Sequence, residues 1–238
     1  MSTLLGFSYL ISGLVEMILP VVLGLYIKKR FNVSWNYYIL GCGMFMLSLI
    51  RMPFNTFIHS SIGLYFPVYE YILTAFIPSL TAGIFEESAR YLAFKYWIKD
   101  RTTENVLMYG AGHGGIESIL LVGLNVFAVG ILLLFNPASI PAEQLSLIVD
   151  IPVYMPLLGL YERVMTLIIH VGLSVVVLQA YLKNSKRYLG YAILIHTAVN
   201  FTAVLLVKFN PILAELSITV FAVILGKYTF DRIRASAL

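Results

Sequence analysis

Seven stretches of this sequence are each long and apolar enough to cross a bilayer, and they leave little chain for anything else. A hydrocarbon core takes about 20 apolar residues per spanning helix. The candidates are Gly6–Tyr26, Asn36–Ile58, Tyr71–Trp97, Glu104–Phe135, Tyr161–Leu182, Tyr188–Val207 and Ile212–Phe230. The fourth is long enough to tilt, kink or run past the membrane. The expected fold is all-α, a polytopic membrane helical bundle of about seven transmembrane helices forming one integral membrane domain over residues 1–238. Its expected location is the bacterial plasma membrane.

Composition removes the other classes. Charged residues make up 12% of the chain, about half of the roughly 25% typical of a soluble domain. A disordered chain is polar and charge-rich, which this one is not. Cys42 is the single cysteine, so there is no disulfide scaffold. The net charge of +4 lies in short flanks between apolar runs rather than in a continuous basic patch, so nucleic acid is not an expected partner.

Those flanks predict the topology. Lys28, Lys29 and Arg30 follow the first span, Lys95, Lys99 and Arg101 surround the end of the third, and Lys183, Lys186 and Arg187 follow the fifth. Lys227, Arg232 and Arg234 close the chain. The segments His59–Glu70 and Asn136–Leu160 carry no Lys or Arg. Basic loops stay in the cytoplasm, which puts the N-terminus outside and the C-terminus inside. The first span has no Lys or Arg before it and no clear cleavage site after it, so it reads as a retained helix. Within Asn136–Leu160, four prolines bracket a short amphipathic piece around Ala142–Val149, expected on the outer surface.

The few charges inside the spans carry the functional argument. Inserting an ionisable group costs about 2.5–3.5 kcal/mol on insertion scales, so such groups face the bundle interior and mark function. The third span contains Glu86, Glu87 and Arg90 in GIFEESARYLAF. Either glutamate can meet Arg90, three or four residues on. Two acids beside one base leave a carboxylate free to bind a cation, hold a proton or activate water. The fourth span carries His113 and Glu117 on one face in YGAGHGGIESIL. The surrounding Gly110, Gly112, Gly114 and Gly115 either permit tight helix packing or leave room for a substrate backbone. The fifth span has His170, with no charge within a turn, so its partner must come from another helix. The sixth has His196 and Asn200, again one turn apart.

Depth unites them. Glu87, His113, His170 and His196 lie about 12, 10, 13 and 9 residues from the cytoplasmic ends of their spans, or roughly 14–20 Å at about 1.5 Å per residue. Unrelated structural polar groups would scatter in depth. Other polar residues read as structural. Glu16 and Arg51 pair with each other or line a cavity, and Glu162 and Arg163 sit at the outer end of the fifth span. His59 is solvated in an outer loop, and Cys42 packs as a small hydrophobe.

Histidines and carboxylates with an open position suit a catalytic zinc site, where a carboxylate takes the proton of bound water. A metal-free Glu/His pair can act as general base instead. No span carries HExxH or GxSxG. Two other classes use the same residues: an ion or small-solute transporter with the Glu/His cluster as a relay, and a non-catalytic scaffold subunit.

EESAR in one span, GHGGIES in the next, a lone histidine after that and HTAVN in the following span together resemble the YhfC family of intramembrane metalloproteases. That family is grouped with PrsW-like proteases, the CAAX-prenyl-processing and bacteriocin-processing enzymes, and the Aph-1 subunit of gamma-secretase. The resemblance covers roughly residues 85–200. It implies an intramembrane endopeptidase, a hydrolase acting on a membrane-embedded or membrane-associated peptide or protein. Glu86 and Glu87 match the paired glutamates, one of which activates water, and Arg90 matches the basic position. His113, His170 and His196 match the histidine positions, which implies Zn2+ ligands, with Glu117 in support. Asn200 matches the position near the oxyanion. The arginine comes one residue earlier than in the prenyl-processing pattern EExxxR, which argues against a prenyl-protein substrate. Aph-1 shows how the same histidines can persist in a scaffold.

Overall fold

Residues 2–236 are described by the structure, a computed structural model. They form ten α-helices and no strand. The helices are α1 (Ser2–Phe31), α2 (Trp35–Ser48), α3 (Arg51–Tyr65), α4 (Glu70–Tyr96), α5 (Thr103–Glu117), α6 (Leu124–Phe135), α7 (Ala142–Val149), α8 (Met155–Leu182), α9 (Arg187–Val207) and α10 (Pro211–Ser236).

Six helical stretches are long and apolar enough to span a membrane: α1, α2 with α3, α5 through α6, α8, α9 and α10. The third expected span, α4, has 27 residues, or about 40 Å of helix. Glu86, Glu87 and Arg90 lower its apolarity below that of the six. The protein is an integral membrane protein, and its outward Leu, Ile, Val and Phe side chains, such as Leu4, Phe57 and Val223, are exposed to the bilayer.

Two spans are interrupted. The second breaks after Ser48, and α3 starts at Arg51. Pro53 explains the break, because it has no N–H for the Leu49 carbonyl and its ring crowds that carbonyl. The fourth contains a π-helical turn, Ser118–Gly123, directly after Glu117. Such turns recur at functional sites. Two boundaries differ from expectation. Pro156 starts α8 early, at Met155, so Glu162 and Arg163 lie inside the helix and not at its end. α3 continues to Tyr65, so His59 is an exposed helical residue and not part of a loop. The short helix α7 falls at Ala142–Val149 as the prolines predict.

Glycines set the packing. α5 is the central helix, in contact with α1, α2 and α8, while α4 packs against α9 and α2. A Cβ on Gly112 would lie 2.0 Å from the Tyr38 carbonyl oxygen, and one on Gly41 would lie 2.2 Å from that of Tyr109. The α2 and α5 backbones touch there, so these glycines serve packing and not a substrate backbone. Gly110 and Gly114 do the same against α8, where a Cβ on Gly114 would meet the His170 side chain at 2.8 Å. This contact brings His113 and His170 to neighbouring positions.

Candidate active site

Four helices deliver the expected residues to one buried cluster. α4 carries Glu86, Glu87 and Arg90 on successive buried positions, α5 carries His113, α8 carries His170 and α9 carries His196. The imidazole rings of His113 and His170 are 5.4 Å apart between centroids, as are those of His170 and His196. Phe45 closes the α2 side, edge-on to His113.

Each carboxylate has its own partners. Glu86 accepts from Arg51 Nη2 at 2.7 Å through Oε1 and from His113 Nε2 at 3.2 Å through Oε2. Its Oε2 is also 3.9 Å from His196 Nε2. Glu87 accepts from His196 Nδ1 at 2.7 Å, and its other oxygen faces Arg90 Nη1 at 3.1 Å. Arg90 Nη2 reaches His170 Nδ1 at 3.3 Å. His170 Nε2 is 2.7 Å from Glu117 Oε2, and Glu117 Oε1 is 3.3 Å from Arg163. Arg163 also bonds Glu162.

These pairings correct several expectations. Arg90 meets Glu87 alone, yet Glu86 is not left free, because Arg51 takes it. Arg51 therefore pairs with Glu86 and not with Glu16. His113 and Glu117 share a helix face but not a bond: one turns to α4, the other to α8. His170 does find its partners on other helices. Asn200 is half-buried, one turn from His196, and no hydrogen bond ties it to the cluster.

Three contributors were not expected. Arg51 enters from the α2–α3 break, Arg163 enters from α8, and Tyr109 places its hydroxyl 3.5 Å from His113 Nδ1. Arg51 and Arg163 are charges in or beside apolar runs, which is a signal, but the choice of partner depends on helix neighbours that the sequence does not display. Tyr109 sits one turn before His113 and looks like any core aromatic.

A family model described as YhfC intramembrane metalloprotease matches residues 15–222. The chain belongs to this family. It is also similar to the uncharacterized membrane protein YhfC of Bacillus subtilis (strain 168), with 30% identity over 217 residues covering 82% of each chain. No solved structure matches.

The name of the YhfC family implies a metal, and the donor set fits one. Glu86, His113 and His170 each offer a ligand atom, all within 4.8 Å of one another, and all three residues are buried. Two imidazoles and a carboxylate are a familiar catalytic zinc set, and tetrahedral ligands at about 2.0–2.1 Å stand roughly 3.3 Å apart. The 3.2 Å between His113 Nε2 and Glu86 Oε2 has that spacing. Glu117 Oε2 and Glu87 Oε2 are buried without a well-aligned hydrogen bond, so acceptor capacity remains beside the three donors. His196, expected as a third imidazole ligand, lies outside this group and stands against Glu87.

Proposed function

We propose that this protein is an intramembrane endopeptidase that hydrolyses a peptide bond of a membrane-embedded or membrane-associated protein. The observation that carries the proposal is the convergence of Glu86, His113 and His170 beside the Glu87–His196 pair, at the centre of a membrane bundle.

Glu86, His113 and His170 would hold a zinc ion. When bound, zinc polarises a carbonyl and lowers the pKa of water. The protein's own groups do the remaining work. Glu87 accepts the Nδ1 proton of His196 in a hydrogen bond, which leaves the Nε2 lone pair facing Glu86. A carboxylate that orients an imidazole in this way makes it a general base. His196 takes a proton from the attacking water and returns it to the leaving amine. Arg90 holds Glu87 at 3.1 Å, and Glu117, 2.7 Å from Nε2, would orient the His170 ring. Arg51 anchors Glu86 from the opposite side. Asn200, uncommitted and one turn from His196, donates to the oxyanion.

The test uses the purified protein in lipid nanodiscs with a library of membrane-spanning peptides, read by mass spectrometry. Wild type should generate new peptide termini and Glu87→Gln should generate none. Equal cleavage by both would reject this assignment, and peptide-independent ion flux through proteoliposomes would favour the transporter.

A further inference from the structure

α1 and α10 both pack along α8, and a furrow runs between them with α8 as its floor. Two adjoining cavities form it, of about 250 and 370 Å³, which share Leu23, Val171 and Thr229. The inner cavity is walled by hydrocarbon, with Leu19, Val164 and Ile168 in its lining. Its one hydroxyl belongs to Thr229, whose oxygen is enclosed by protein and offers the furrow no polar atom. Gly226 keeps the space open, since a Cβ there would meet only the Ile168 side chain, at 3.2 Å.

The furrow opens at Arg30, in the last turn of α1. Arg30 is exposed and is the single charged residue in either lining among the described residues. Lys28 and Lys29 precede it, and Arg234 lies in the last turn of α10 at the same end of the bundle. From Leu19 to Arg30, α1 rises about 16 Å at about 1.5 Å per residue, half of a hydrocarbon core about 30 Å thick. The furrow thus has the depth of one leaflet, with its charge at the height of the head groups. Hydrocarbon walls below a guanidinium fit an apolar chain below an anion. Basic pockets between spanning helices recognise anionic head groups, and a guanidinium meets a phosphate through paired N–H donors.

We infer that the furrow between α1 and α10 is a binding site for an anionic phospholipid. One acyl chain lies along α8, and the head-group phosphate rests on Arg30. A zwitterionic phospholipid offers the same chains, but its own ammonium offsets the phosphate, so net charge sets the preference. Val171, which lines both cavities, directly follows His170, so the bound chain braces α8 at the level of the cluster. The site is separate from the candidate active site and does not depend on the peptidase reading.

The experiment is native mass spectrometry of the delipidated protein, titrated with a phosphatidylglycerol, the phosphatidylcholine of the same chains, and glycerol 3-phosphate. Phosphatidylglycerol should bind saturably and about fivefold more tightly than phosphatidylcholine, the difference one basic side chain makes. Glycerol 3-phosphate, which has no chain, should not bind. Arg30→Gln should erase the preference, and Lys29→Gln, at an exposed position outside the lining, should keep it. Gly226→Leu should fill the furrow and weaken both lipids about tenfold. Equal affinity for the two lipids, binding of glycerol 3-phosphate, or an equal loss in Lys29→Gln overturns the assignment. So does wild-type lipid binding by Arg30→Gln or Gly226→Leu, or a wild-type dimer that Gly226→Leu abolishes, which would give the furrow to a second copy of the chain. If Gly226→Leu fails to fold, Arg30→Gln and Lys29→Gln decide alone.

Discussion

His196 Nδ1 stands 2.7 Å from Glu87 Oε1, a contact between residues 109 positions apart on two helices packed side by side. The pair is fully enclosed in protein, and Glu87 also faces Arg90. A carboxylate that grips one ring nitrogen directs the other nitrogen toward Glu86. This relationship makes the cluster a directed site and not a collection of neutralised charges.

Loss of either half of the pair should therefore stop turnover by the same amount. Glu87→Gln and His196→Ala are each expected to lower peptide cleavage about 10²–10⁴-fold. The double variant should lose little more, because the two act as one unit. Single-turnover cleavage of a peptide found in the library checks this.

Arg90 serves two partners, so its removal is expected to damage stability before chemistry. Arg90→Met leaves Glu87 buried beside an apolar chain and releases His170. The expected loss is about 3–5 kcal/mol, the usual consequence of breaking one side of a buried pair. Unfolding in mixed detergent micelles measures it. Arg90→Met and Glu87→Gln together should recover part of the loss.

Packing glycines give a contrast within α2 and α5. Gly112→Ala drives a methyl group against the Tyr38 carbonyl, where backbone cannot yield cheaply. It should lose about 1–3 kcal/mol, as overpacking does. Gly43→Ala adds a Cβ with nothing within 4 Å and should gain about 1 kcal/mol from helix propensity. The same unfolding assay compares them.

Topology is testable through the single cysteine. In a Cys42→Ser background, Lys29→Cys and Lys186→Cys, both exposed, should react with an impermeant maleimide only after cells are opened. Glu143→Cys on α7, also exposed, should react in intact cells. This pattern follows from basic loops staying in the cytoplasm.

The spans and the meeting of Glu86, Glu87, His113, His170 and His196 were legible in the sequence. Apolar length and the place of a polar residue along its span are properties of single helices, and α4, α5, α8 and α9 bring those residues together. The partner of each charge was not legible. Glu117 turns to His170 because Gly110 and Gly114 press α5 onto α8, and Arg51 reaches Glu86 because Pro53 breaks its span beside α4. Those contacts depend on which helices are neighbours. The π-helical turn after Glu117 has no local signature in an apolar run. Arg163 moved from a helix end to the interior because Pro156 could begin α8 as well as interrupt it.

X-ray absorption with metal analysis of zinc-loaded protein reads the composition of the Glu86, His113 and His170 site. The expected result is about one zinc per chain, held by two imidazoles and a carboxylate oxygen. That metal should be lost in His113→Ala and His170→Ala and retained in His196→Ala. No bound metal in the wild type, or a full complement retained by His113→Ala, would contradict it.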